Sequence, residues 1–190
     1  CGDLFLTDKL LRDAEDALSA ILAETVGLPV VAVIGVPVIW RGKTYNGAAV
    51  CQNGRILGVV PKTHIPNYAE FYELRQFNPA PDANGTIALC GQTVPFGRKL
   101  LFACENMPAL VLGCEICEDL WVADTPGASL AAAGATVLCN LSASNETIGK
   151  DAYRRMLVQG ASGRFVSAYV YADAGCGEST TDIVFSGHSM

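Results

Sequence analysis

Leu10, Leu11, Ala14, Ala17, Leu18, Ile21 and Leu22 recur at three- and four-residue intervals with Asp and Glu between them, which predicts an amphipathic helix near the start of the chain. Thr7 stands where a hydroxyl can cap its first turn, and Gly27 where it can end. The pattern then changes period. Residues 29–38 (PVVAVIGVPV) are apolar throughout, as in a strand covered on both faces. In YNGAAVCQNGRILGVV, Asn53-Gly54 separates two short apolar runs, a strong hairpin signal. Residues 60–77 form a loop rich in aromatic and charged side chains, broken by Pro61 and Pro66. Short apolar runs at 87–89, 99–103, 109–113, 136–141 and 165–172 read as strands, and 129–133 and 150–160 as helices. A glycine-rich turn, GCGESTTD, precedes a last strand in IVFSGHSM. Strand pairs alternating with helices predict a mixed-sheet α/β fold in one domain.

Composition narrows the partners. Hydrophobic residues make up 51% and charged ones 17% of 190, enough for a sizeable core and too apolar for a disordered chain. A net charge of -6 with only 13 Lys and Arg leaves no basic patch, so neither nucleic acid nor an anionic membrane is expected as a partner. No apolar run approaches the roughly 20 residues that cross a bilayer, and no signal peptide is visible, so a soluble, cytoplasmic protein is expected. The apolar content is compatible with a homo-oligomer. The chain opens on Cys1 and enters a helix almost at once, and it stops just after an apparent strand, so it reads as truncated at both ends.

Of the eight cysteines, most lie inside apolar runs, where the thiol behaves as a small buried hydrophobe and stays reduced. Cys114 and Cys117 form a CxxC, but there is no second one, and His64 and His188 lie far apart in sequence, so no metal site is expected. The stretch ALVLGCEICEDLWV (109–122) carries the chemistry: a buried strand delivers Cys117 to its end beside Glu118 and Asp119, which is how an α/β protein presents a nucleophile. A thiol needs its pKa lowered or a base beside it. His64 is read as a loop or packing residue. Lys62, held after an apolar run between Pro61 and Pro66, loses little entropy on being aimed inward and can stabilise a thiolate or an oxyanion.

PKTHIPNYAEFYE followed by CEICEDLW resembles the nitrilase (carbon-nitrogen hydrolase) superfamily. NLSASNETIGK (140–150) and GESTTD (177–182) are most similar to the glutamine amidohydrolase domain of the glutamine-dependent NAD synthetase branch. The resemblance implies a four-layer α-β-β-α sandwich and a Glu-Lys-Cys triad, with Cys117 as nucleophile, Lys62 as the triad lysine and Glu70 as the additional glutamate that orients it. Glu73 competes with Glu70 for that place. The backbone N–H of Glu118 and Lys62 would hold the oxyanion. The substrate would be glutamine, its charged head group met by Glu118, Ser144 and Lys150, with Tyr68 shaping the pocket; each of these residues also reads as ordinary surface or turn chemistry, and Trp121 and Phe71 as core.

The family's general-base glutamate matches no glutamate here, since Glu15 and Glu24 fall in the first helix. It is expected upstream, so that these 190 residues alone would be nearly inactive. No cofactor is implied for this domain; ATP and Mg belong to the synthetase domain of the same parent chain, of which no segment is recognised. Three other readings stay open: an amidase or carbamoylase for another small amide, a CxxC redox or metal module, and a non-catalytic domain that kept the fold.

Overall fold

A computed structural model describes residues 2–178 and 183–190, in two compact units. The first unit comprises the chain up to Asn67 together with Phe71–Leu100, and the second Tyr68–Glu70 together with Leu101–Met190.

In the first unit, helix α1 (Asp8–Glu24) starts as its sequence requires, with the Thr7 hydroxyl accepting from the Leu10 N–H at 3.4 Å. Its apolar stripe buries Leu18 and Leu22 against a five-stranded sheet. Strands β1 (Ala32–Trp40), β2 (Lys43–Gln52), β3 (Arg55–Pro61), β4 (Gly85–Leu89) and β5 (Gln92–Phe96) take the order β1-β2-β3-β5-β4. Asn53 and Gly54 both hold positive φ, 48° and 76°, as the turn of a two-residue hairpin with strand-compatible twist requires. Strand β5 has no counterpart among the strands expected from sequence. The Cys90-Gly91 turn, also with two positive φ values, folds it back on β4, whereas Gly91 alone reads as a strand end. β3 and β5 pair in parallel only at Val59 and Phe96; beyond that point the Gln92 amide accepts from Ile56 N–H at 3.0 Å and donates to Gly54 C=O at 3.2 Å. The expectation for 29–38 needs correcting. β1 is an edge strand, and Val30 and Val31, 45% and 48% exposed, lie outside it.

In the second unit, β6 (Phe102–Cys104), β7 (Met107–Ile116), β8 (Val137–Ser142) and β9 (Ala168–Asp173) form a sheet in that order, antiparallel between β6 and β7 and parallel thereafter. Helices α2 (Pro126–Ala132) and α3 (Lys150–Phe165) supply Leu130, Val158 and Ala161 to a core with Leu138, Tyr169 and Tyr171 of the sheet. The expected last strand does not form. Residues 183–190 make one isolated bridge, Asn145 with Phe185, and a turn with Gly187 at φ 63° lets only Met190 bond back to Tyr171. Part of the GESTTD segment, residues 179–182, lies outside the described residues. No helix among the described residues is long and apolar enough to cross a membrane.

Candidate active site

β7 becomes fully buried over its last four residues, Gly113 to Ile116, and runs directly into a 3-10 turn, Cys117–Leu120. Cys117 sits at φ 48°, a left-handed conformation that a side chain adopts only at a cost of about 1–3 kcal/mol. Two side chains hold the corner: Asp119 Oδ2 accepts from the Ile116 N–H at 3.0 Å, and Asn140 Oδ1 from the Cys117 N–H at 2.9 Å. The two thiols of the CxxC differ. Cys114 is 1% exposed and burial pushes its thiol far up, so it is held protonated and is a poor nucleophile or ligand; Cys117 stands at the strand end, and both are free thiols.

Around the corner the second unit assembles charges of both signs. Tyr68 donates its hydroxyl to the Glu118 carboxylate at 3.0 Å. Burial, then the Glu118 contact, pushes that phenol up to about 12, so it remains a donor at neutral pH. Asn145 donates to Glu70 and accepts from the Lys150 ammonium, joining the two charges through one amide. Lys150 also lies over the Trp121 ring at 5.1 Å. Burial first and the Arg154 guanidinium second draw the Lys150 ammonium below its ordinary pKa, while Cys117, Glu70 and Glu118 act the other way. Ser144 is 3% exposed; its hydroxyl oxygen accepts from Arg154 Nε at 3.2 Å and Nη2 at 3.1 Å, which leaves the hydroxyl proton to donate.

The first unit holds the lysine. Lys62 follows β3, is 2% exposed and pairs with Glu73 at 2.5 Å. Asn46 Nδ2 donates to the other Glu73 oxygen at 2.8 Å, and the Lys62 backbone is fixed by Asn46 C=O and by the Ala80 N–H. Of the two glutamates weighed as the lysine's charge partner, Glu73 makes this ion pair, from a 3-10 turn, Glu73–Arg75; Glu70 belongs to the cluster of Asn145 and Lys150. Glu15, a glutamate of α1, accepts from the Cys90 N–H at 2.6 Å.

Cys117, Tyr68, Glu70, Glu118, Ser144 and Lys150 all belong to the second unit, and Lys62 to the first. Sequence reasoning passed over Asn140, Asn145 and Arg154. A polar residue inside the apolar run 136–141 was a usable signal for Asn140. Arg154, four residues after Lys150 on a helix, is indistinguishable by spacing from an exposed cation, yet it is 0% exposed.

Comparison with known proteins supplies the family. The carbon-nitrogen hydrolase family model matches residues 8–190. The chain is 50% identical over 188 residues to the glutamine-dependent NAD(+) synthetase of Mycobacterium tuberculosis, covering 99% of this chain and 28% of that protein. To the enzyme of that name from Homo sapiens it is 27% identical, over 93% of this chain and 26% of that one. Among solved structures, a glutamine-dependent NAD(+) synthetase from Cytophaga hutchinsonii matches with a TM-score of 0.84 and 32% identity, over 98% of this chain and 30% of that one. A carbon-nitrogen hydrolase from Helicobacter pylori G27, 20% identical, shares the fold with a TM-score of 0.69, over 100% of this chain and 62% of that one. The two sheets and three helices are therefore a nitrilase-like α/β fold. The chain spans less than a third of the length of the NAD synthetases it matches.

Proposed function

The chain belongs to the carbon-nitrogen hydrolase family, and from that premise we propose that it hydrolyses the side-chain amide of glutamine through a Cys117 thioester. The ammonia is used by an ATP- and Mg-dependent synthetase domain of the same protein to amidate deamido-NAD. The observation that carries this reading is the cluster around Cys117: a thiol on a left-handed corner, with the Glu118 carboxylate bonded by Tyr68, Glu70 and Lys150 joined through Asn145, and Ser144 having a proton to give. A zwitterionic amino-acid head group needs a carboxylate for its ammonium and a cation and a donor for its carboxylate. Glu118, with Tyr68 orienting its carboxylate, takes the first task; Lys150 and Ser144 take the second.

The thiolate of Cys117 attacks the carboxamide carbon, and the carbonyl electrons move to oxygen. The Lys62 ammonium and the Glu118 N–H stabilise that oxyanion. The C–N bond breaks as the nitrogen takes a proton and leaves as ammonia, and water then cleaves the thioester to glutamate and free thiol. Both halves need a base to carry protons. Glu15 is committed to the Cys90 N–H, and the base is assigned to a glutamate of the longer protein; residues 1–190 by themselves would then turn over little or no glutamine.

The test is glutamine-dependent ammonia release by the full-length protein, beside its Cys117→Ala variant and a panel of other small amides. The reading requires preference for glutamine and complete loss in the variant. Retained turnover removes Cys117 from the reaction, and preference for an uncharged amide makes the chain an amidase of another substrate.

A further inference from the structure

The second unit carries a line of buried polar groups that the proposed reaction does not use. Asn140 Oδ1 accepts from the Cys117 N–H at 2.9 Å while its Nδ2 faces the Cys117 C=O at 3.5 Å, so one side chain grips both ends of the nucleophile's residue. The same Nδ2 lies 3.1 Å from the Tyr169 hydroxyl. Tyr169 donates to Glu115 Oε1, and Glu115 Oε2 accepts from the Gly127 N–H at 2.7 Å, in the first turn of α2. Asn140 is 0% exposed, Glu115 1% and Tyr169 9%.

The direction of every bond in this line is forced. The Cys117 N–H can only donate, which turns Oδ1 of Asn140 toward it and leaves Nδ2 for Tyr169. Tyr169 accepts from that amide and has its own proton left, which must go to Glu115. Glu115 receives bonds on both oxygens, so the line is satisfied throughout when Glu115 is a carboxylate. An Asn140 turned the other way would set two donors against each other at Cys117.

Strands β7, β8 and β9 pair in parallel, and parallel strands covered by helices normally carry continuous apolar runs. Three polar side chains at these positions cost desolvation, which apolar residues of similar volume would avoid. What they provide is orientation at a residue whose φ of 48° persists only if its surroundings impose it.

We infer that Asn140, Tyr169 and Glu115 form a one-way hydrogen-bond relay that fixes the backbone of Cys117, and so the aim of its thiol and of the Glu118 N–H, making them positioning residues for attack on the amide. The inference rests on Cys117 being the nucleophile. It assigns Tyr169 a role at the middle of the relay, remote from any head-group contact.

The test uses the full-length protein. Tyr169→Phe keeps the ring and removes only the hydroxyl. The expected result is a fall in kcat of about 10- to 100-fold, as for a misaimed reacting group, with KM for glutamine within twofold of wild type and a parallel slowing of Cys117 alkylation by iodoacetamide. Glu115→Gln, of equal size, breaks the same line from its far end, since an amide cannot accept on both sides; it gives the same reading should the phenylalanine variant fold poorly. The double variant is expected to be no slower than the slower single one, as for one connected unit. Unchanged kcat in both single variants, or losses that multiply in the double variant, overturn the relay. If Cys117→Ala itself keeps activity, it is the assignment of the nucleophile that has failed.

Discussion

Lys62 and Arg98 each carry an ion pair at 2.5 Å, and burial decides what the two are worth. The Lys62 side chain is 2% exposed and Glu73 19%, whereas Asp82, the partner of Arg98, is 94% exposed. Removing one member of a buried pair takes its countercharge from the other where water replaces it poorly and costs about 3–5 kcal/mol, while an exposed pair contributes about 0–1 kcal/mol because water and side-chain entropy offset the attraction. Glu73→Gln keeps the size but loses the charge and one of the two acceptors that Asn46 Nδ2 and Lys62 share; a fifth of the Glu73 surface is already in water, which eases that loss, so the lower end of the range applies. Glu73→Gln is expected to cost about 3 kcal/mol and Asp82→Asn less than about 1 kcal/mol. For a chain of 190 residues each kcal/mol moves the melting temperature by about 2–4 °C, which makes the first shift about 6–12 °C and the second hard to detect. Thermal and urea denaturation followed by circular dichroism measures both. A Glu73→Gln loss below about 1 kcal/mol, or equal to that of Asp82→Asn, refutes the argument from burial. The same variant bears on chemistry: with Lys62 as the oxyanion cation, losing the carboxylate that orients it lowers kcat for glutamine, and an unchanged kcat removes Glu73 from that role.

Iodoacetamide applied to the folded protein is expected to modify Cys117 well before Cys51 or Cys114, which are 0% and 1% exposed and whose thiols burial pushes up, that of Cys51 to about 11. Peptide mass mapping reads the order, and early labelling of Cys114 contradicts it. Gly127→Ala places a Cβ 2.8 Å from Glu115 Oε2, a buried atom tied by a hydrogen bond, and is expected to cost about 1–3 kcal/mol by overpacking; an unchanged melting temperature counts against this contact. Burial chiefly, with Asp119 beside it, raises the Glu115 pKa, against the Tyr169 and Gly127 bonds and the Arg164 charge. A carboxyl raised in the folded state contributes stability that is present below its ordinary pKa and lost as pH rises through the folded value. The melting-temperature advantage of wild type over Glu115→Gln should therefore be largest near pH 4 and shrink toward neutrality, and a melting series across that range showing growth instead reverses the sign.

What was legible in the sequence is what a few neighbouring residues decide. Thr7 and the leucines after it make α1 whatever the rest of the chain does, and Asn53-Gly54 makes its hairpin because both residues tolerate positive φ. The same logic fails where a residue unsuited to the turn adopts it anyway. Cys90 holds φ 50° because the Glu15 carboxylate, 75 residues away, takes its N–H, and without that contact nothing announces the hairpin that creates β5. The apolar run at 183–185 fits a strand by composition, but the Ser186 hydroxyl bonds to Asp173, and Gly187 turns the chain before a ladder can form.

The candidate site divides along the same line. Cys117 and Glu118 were legible because strand, corner and carboxylate are contiguous, so the geometry of β7 places them together. Whether Glu70 or Glu73 faces Lys62 was not, since both follow it within 11 residues and the choice lies with a 3-10 turn whose Glu73 N–H is held by Pro66 C=O. Asn140 shows why the remainder was hidden. Its place opposite Glu115 in the parallel register, two residues short of Cys117, is a property of strand pairing, and pairing is set by the whole sheet. A slip of one residue would turn Asn140 to the other face and leave the Cys117 N–H without this partner. The corner that holds Cys117 is therefore written in the register of β7 and β8 as much as in the CEICED segment itself.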